Sequence, residues 1–212
     1  MISITTKSKD LVNIVKCHKS AFPNALSSKM GNTFISKMME WYIESERGVL
    51  FHIENKNKEI IGYCGGIITK QKGLHGAVTS ISQYSFNTFL ISYLKRPWLI
   101  FHPENIKKIP YIRRNIIIKL GLNKSDKINK NEDFIPFMGL VVIGLRKDNQ
   151  GKGIGGILLN EFEKRAKEIY KVKKISLSVK LQNINAIKAY SKNGWKIGEQ
   201  TKKTIQMFKF LK

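Results

Sequence analysis

Asn149-Gln150-Gly151-Lys152-Gly153-Ile154-Gly155-Gly156 places four glycines and a lysine within eight positions. An apolar run from Phe137 to Ile143 precedes it, and an amphipathic run from Ile157 to Phe162 follows. This order predicts a strand, a glycine-rich turn and a helix. In such a turn, backbone N–H groups and a helix N-terminus converge on an anion. Lys152 adds a point charge beside them. The chemistry to expect here is the binding of a phosphate-bearing compound.

Three readings of the turn compete. A P-loop needs Gly-Lys followed by Ser or Thr to hold magnesium. Here Gly151-Lys152 is followed by Gly153, which excludes it. A dinucleotide fingerprint is matched in its letters by Gly151, Gly153 and Gly156. It also requires an acidic residue about 20 positions on, to grip the ribose. The next strand, Ile175-Ser176-Leu177-Ser178-Val179, carries none. A turn that merely starts a helix is the plain structural alternative.

A second constellation follows: Asn183-x-x-Ala186-x-x-x-Tyr190-x-x-Asn193-Gly194-Trp195. Gln150-x-x-Gly153-x-Gly155, between strand and helix, resembles the acetyl-CoA signature of the GCN5-related N-acetyltransferase (GNAT) superfamily. The second element is similar to that family's Asn-x-x-Ala…Tyr…Gly-Phe element, with Trp195 in place of the usual Phe. The two occur in the family's order, separated by one helix and one strand. The resemblance covers about Phe137 to Trp195.

The resemblance implies acetyl transfer from acetyl-CoA, as cosubstrate, to a primary amine by direct attack on the thioester. Gly151, Lys152, Gly153, Ile154, Gly155 and Gly156, with Gln150, would bind the pyrophosphate. Backbone groups of Ile143, Gly144 and Leu145 would hold the pantetheine arm like a partial extra strand. Asn183 would cap its helix and also reach the arm. Tyr190 lies two helical turns further along the same face and would protonate the leaving thiolate. No metal is implied. The acceptor is expected to be a small-molecule amine, with an amino sugar as one candidate. A protein or peptide amine, a CoA-binding protein without catalysis, and a nucleic-acid or anionic-surface binding module are the alternatives.

An ammonium ion cannot attack a thioester, so its proton must leave. Some protein-acetylating members of the family place a glutamate five residues before the motif asparagine. Ser178 stands there in this chain, and serine is not a base at neutral pH. Glu132, Asp133, His75 and His102 are other candidates, and none is assigned.

The elements that must position these groups can be read from spacing. Ile2 to Thr5 predicts a strand. Lys9 to Ala21 predicts a helix, ended by Pro23-Asn24, and Ser28 to Ser45 a second. Gly48–Glu54 and Glu59–Thr69 predict a hairpin. Residues 71–131 mix aromatics with basic pairs and predict an inserted helical region, with helices over Phe86–Leu94 and Asn105–Leu120 and a polar loop to Asp133. After it come strand Phe137–Leu145, helix Gly153–Tyr170, strand Lys174–Val179, helix Asn183–Lys192 and two short strands. With the resemblance, the expected fold is α/β. It has a mixed, mostly antiparallel central sheet, opened at its centre and flanked by helices, in one domain over 1–212.

The chain has 212 residues with 42% hydrophobic content, enough for a packed core. Its formal net charge is +23. Such a balance fits an anionic partner. It also fits the lysine, isoleucine and asparagine bias of an A/T-rich genome, and nucleic acid is not favoured. No apolar stretch reaches the ~20 residues of a membrane span. The N-terminus lacks a signal-peptide core. Cys17 and Cys64 therefore read as buried thiols in a reducing cytoplasm. A homodimer stays open.

Overall fold

The computed structural model of the chain describes residues 2–71, 74, 76–105 and 134–211, and elements are numbered over these. The helix expected over 105–120 and the loop to 133 lie outside the described residues, as do His75, Glu132 and Asp133. The order is β1 (Ile2–Thr5), a 3-10 turn (Ser8–Asp10), α1 (Leu11–Ala21), α2 (Leu26–Met30), α3 (Asn32–Glu44), β2 (Gly48–Glu54) and β3 (Ile60–Thr69). Next come α4 (Ala77–Tyr84), α5 (Phe86–Lys95) and a 3-10 turn (Pro97–Phe101). The chain continues with β4 (Phe137–Leu145), α6 (Ile154–Glu168), β5 (Lys174–Lys180), α7 (Ile184–Lys192), β6 (Lys196–Gln200) and β7 (Thr204–Phe210).

Most boundaries follow the hydrophobic spacing, and two do not. The helix expected over 28–45 is two helices, because Gly31 interrupts it at φ 102°. That conformation suits glycine and cannot continue a right-handed helix. Helix α4 was not anticipated. Its eight residues bury only Ala77 and Ile81, too short a stripe to stand out as a period.

The strands form one sheet in the order β1-β2-β3-β4-β5-β7-β6. Only β4 and β5 pair in parallel. The sheet is therefore mixed and mostly antiparallel, as expected. One face packs on α6 and α7 through Phe51, Cys64, Met138, Leu140, Leu158, Phe162, Ile175 and Met207. The other packs on α1 and α3 through Ile14, Ile35, Met39, Leu50 and Tyr63. Leu26, Met30, Phe34 and Leu99 make a third cluster, where α5 and its following turn cover α2 and α3.

The centre of the sheet does not stay closed. β4 pairs with β5 only from Phe137 to Leu140, although β4 runs on to Leu145. Against β3, Gly65 pairs Val142 and Gly66 pairs Leu140, so Val141 is an extra, bulged residue. Val141 and Val142 consequently both pack toward α1 and α3, while Ile143 and Leu145 return to the α6 face. A bulge bends its strand, and this one lies where β4 leaves β5. Beyond it, the β5-facing edge of β4 has no strand partner among the described residues.

Candidate active site

The glycine turn stands at the open end of β4. The Gln150 side chain donates Nε2–H to the Leu145 carbonyl (3.1 Å), which ties the turn to the strand end. The Lys147 N–H donates to Ser20 Oγ (3.1 Å), which ties it to the end of α1. Arg146 and Asp148 pair at 3.5 Å. Gly151 and Gly153 adopt φ of 75° and 79°, the left-handed region. A Cβ on either would meet nothing within 4 Å, so the local geometry asks for glycine and leaves open space above it. Gly153 caps α6 with no side-chain hydrogen bond, and no acidic residue stands in the first turn. The first turn of this 15-residue helix thus has no side-chain cap; its Gly156 N–H donates to the Gly153 carbonyl (3.0 Å), and exposed Lys152 stands beside it.

Ile143 lies opposite Cys64 in β3, and Gly144 opposite Tyr63. Gly144 is a close-approach position. A Cβ there would sit 2.6 Å from the Tyr63 ring and 3.0 Å from Phe22, just past α1. Leu145 packs on the α6 face.

Asn183 stands at the N-cap of α7, where its Oδ1 accepts from the Ala186 N–H (3.3 Å). The capping role is on view in this contact. Tyr190 is 9% exposed and packs on Trp195, ring centres 5.9 Å apart. Its hydroxyl makes no hydrogen bond among the described residues. Burial, and after it the Cys64 thiol, push the phenol up to about 12. Tyr190 shares one core cluster with Cys64 and Ile143 of the β3–β4 pair. Asn193 approaches Gly156, with Oδ1 3.5 Å from where a Cβ would stand. The two motif segments therefore meet, although 27 positions separate Gly156 from Asn183.

The base candidates do not converge. Ser178 is exposed and pairs with Gln206 across β5 and β7. His102 accepts at Nδ1 from the Glu104 N–H (3.3 Å) in its own turn. The segment carrying it leaves β3 at the sheet end opposite the glycine turn. It then folds back until Glu104 Oε1 accepts from the Leu26 N–H (3.1 Å) at the start of α2.

One polar assembly beside the site was not anticipated. His18 is 4% exposed; its Nδ1 lies 2.5 Å from the Tyr63 hydroxyl and its Nε2 2.9 Å from Ser27 Oγ. Burial drives the Tyr63 phenol well above its ordinary value, so Tyr63 keeps its proton and donates to Nδ1. Nε2–H then donates to Ser27. The chain of bonds links the centre of β3 to the start of α2, next to Gly144. The spacing Ile14, His18, Phe22 was its signal, a histidine on an apolar helical face.

Comparison with known proteins agrees with this geometry. Residues 128–195 match the model of the acetyltransferase (GNAT) family. The similarity covers that stretch of the chain, which carries both the glycine turn and Asn183. A spermidine N-acetyltransferase SpeG chimera, from Vibrio cholerae and hSSAT, superposes with a TM-score of 0.57 at 15% identity, over 100% of this chain and 96% of that one. A ribosomal-protein alanine N-acetyltransferase from Escherichia coli gives 0.54 at 15% identity, over 99% and 93%. No curated protein sequence matches the chain. Among the described residues, no helix is long and apolar enough to cross a membrane.

Proposed function

We propose that this chain is a GNAT-family enzyme and transfers the acetyl group of acetyl-CoA to the primary amine of a small molecule. The observation that carries the reading is the parting of β4 from β5 after Leu140, with the glycine turn at its open end. The open space over Gly151 and Gly153 fits a pyrophosphate, which Gln150 to Gly156 would hold through N–H groups and Lys152. The unpaired edge at Ile143 to Leu145 fits an amide-bearing arm. Asn183 would reach the same arm from the start of α7. Acetyl-CoA supplies an activated acyl thioester there. Tyr190 would donate a hydrogen bond to the leaving sulfur. A cytoplasmic location goes with this reading.

An amino sugar is one candidate acceptor, and a protein amine is the rival. The test is release of free CoA across a panel of small amines and N-terminal peptides. Turnover of peptides alone would overturn the small-molecule reading. Acetyl-CoA at 100 times its Kd is expected to add about 2.7 kcal/mol, or roughly 5–10 °C in Tm. Differential scanning fluorimetry checks this. Gly153→Ala puts a methyl group into the open cradle at φ 79°. It is expected to cost about 1–2 kcal/mol of stability and to weaken acetyl-CoA binding about tenfold. Urea unfolding and calorimetric titration read the two effects.

A further inference from the structure

Alternation divides β5 between two faces. Ile175, Leu177 and Val179 join the core under α6 and α7, as do Ile205 and Met207 of β7. Ser176, Ser178 and Lys180 therefore share the opposite face with Thr204, Gln206 and Phe208, which are their register partners. The core under α1 and α3 draws on β2, β3 and β4, and takes no residue from β5 or β7. This polar face, with Ser178 and Lys180 exposed, thus adjoins the gap where β4 leaves β5.

Two edges frame it at the open end. Phe22 and the α1–α2 connection stand over Gly144 on the β4 side. On the β5 side stands the β6–β7 turn, where the Lys203 carbonyl accepts from the Leu181 N–H (3.1 Å). Lys202 and Lys203 are exposed in that turn. Lys180, Lys202 and Lys203 have no ion-pair partner among the described residues. The face itself carries no carboxylate. Among the described residues, the acids toward its edges are Asp148, paired with Arg146, Glu104, which accepts from Leu26, and exposed Glu199 on β6.

We propose that the acceptor is an amine joined to an anionic group, phosphate or carboxylate, held over the β5–β7 face by Lys180, Lys202 and Lys203. This rests on the small-amine reading above. A polyamine would bring several positive charges to a lip that is already cationic, and would find no carboxylate on the face to receive them. An anionic acceptor gains where a polyamine loses. The same cations disfavour the ammonium form of a bound amine. Lys19 and Lys29, near the α1–α2 connection, add to that field, and Glu199 and Glu104 oppose it. Loss of the ammonium proton is thereby eased where Ser178 offers no base.

The test uses the full chain with acetyl-CoA and four acceptors: an amino sugar, its phosphate ester, an amino acid and spermidine. The phosphate ester or the amino acid is expected to show kcat/KM at least tenfold above the amino sugar, which lacks the anion, and above spermidine, and the better of the two names the anion. The advantage is expected to shrink as salt rises. In Lys202→Gln/Lys203→Gln it is expected to fall severalfold, with the kcat profile, which reads the bound amine, moved to higher pH. Preference for spermidine, or equal use of the sugar and its ester, would overturn the proposal and leave small-amine acetylation standing. An unchanged preference in the double variant would overturn the role of the turn. Turnover of none of the four, with acetyl-CoA still raising Tm, would overturn the small-amine reading beneath it.

Discussion

Tyr190→Phe is expected to lower kcat about 10–100-fold, with acetyl-CoA affinity and Tm little changed. The hydroxyl makes no hydrogen bond among the described residues, so its removal strands no partner. The ring's packing on Trp195 survives in phenylalanine. On the proposed reading, what would be lost is a donor toward a sulfur that gathers negative charge. Hydrogen bonds to charged groups are worth about 1.5–3 kcal/mol, which gives the stated range. The phenol is pushed up to about 12 by burial, whereas a thiol ordinarily titrates near ~8.5. Complete transfer from Tyr190 to the thiolate therefore runs uphill by about three orders of magnitude. In the proposed role, Tyr190 would act by keeping its proton and sharing it. The wild-type pH–rate profile should then show no Tyr190 titration below about pH 11. Steady-state CoA release for both proteins measures the effect. A fall in Tm or in acetyl-CoA affinity as large as the fall in kcat would make Tyr190 a packing residue instead.

The legible and illegible parts of this molecule divide along a physical line. Strand β4 was readable to the residue, since Phe137 to Leu145 is an unbroken apolar run between Pro136 and Arg146. The turn and the Asn183 cap were readable because glycine at positive φ and asparagine at an N-cap are local requirements. The bulge at Val141 was not, because three successive β-branched residues, Val141, Val142 and Ile143, look the same whichever face each one takes. Yet that bulge accompanies the opening of the sheet and so makes room for the site. Gly31 was misread for a related reason. A glycine inside a helical pattern is usually tolerated at a cost of about 1 kcal/mol, and only its φ shows that it ends α2. The polar face of β5 and β7 needed the strand order. Ser178 and Gln206 lie 28 positions apart, and nothing local says that they are neighbours.

Acidification is expected to weaken the fold through His18 before the carboxylates are all protonated. Burial holds the His18 imidazole at about 4 against an ordinary 6.5, so the folded protein keeps it neutral. As pH falls through 6.5, the unfolded chain takes up a proton that the folded chain refuses. Stability conferred by the neutral imidazole is therefore complete above pH 6.5, and is lost progressively as pH falls toward 4. The shift corresponds to about 3 kcal/mol across that window. His52, lowered chiefly by burial against the pull of Asp10 and Glu54, acts in the same direction. His18→Gln separates the two: the difference in unfolding free energy between wild type and variant should narrow by about 3 kcal/mol from pH 6.5 to 4. Should that variant fail to fold, the ring resonances of wild-type His18 give the same answer, staying neutral down to about pH 4. A His18 titrating near 6.5 would break the buried bonds to Tyr63 and Ser27 as assigned. Those bonds join β3 to the start of α2 beside Gly144, so their loss on acidification should raise the acceptor KM before the protein unfolds.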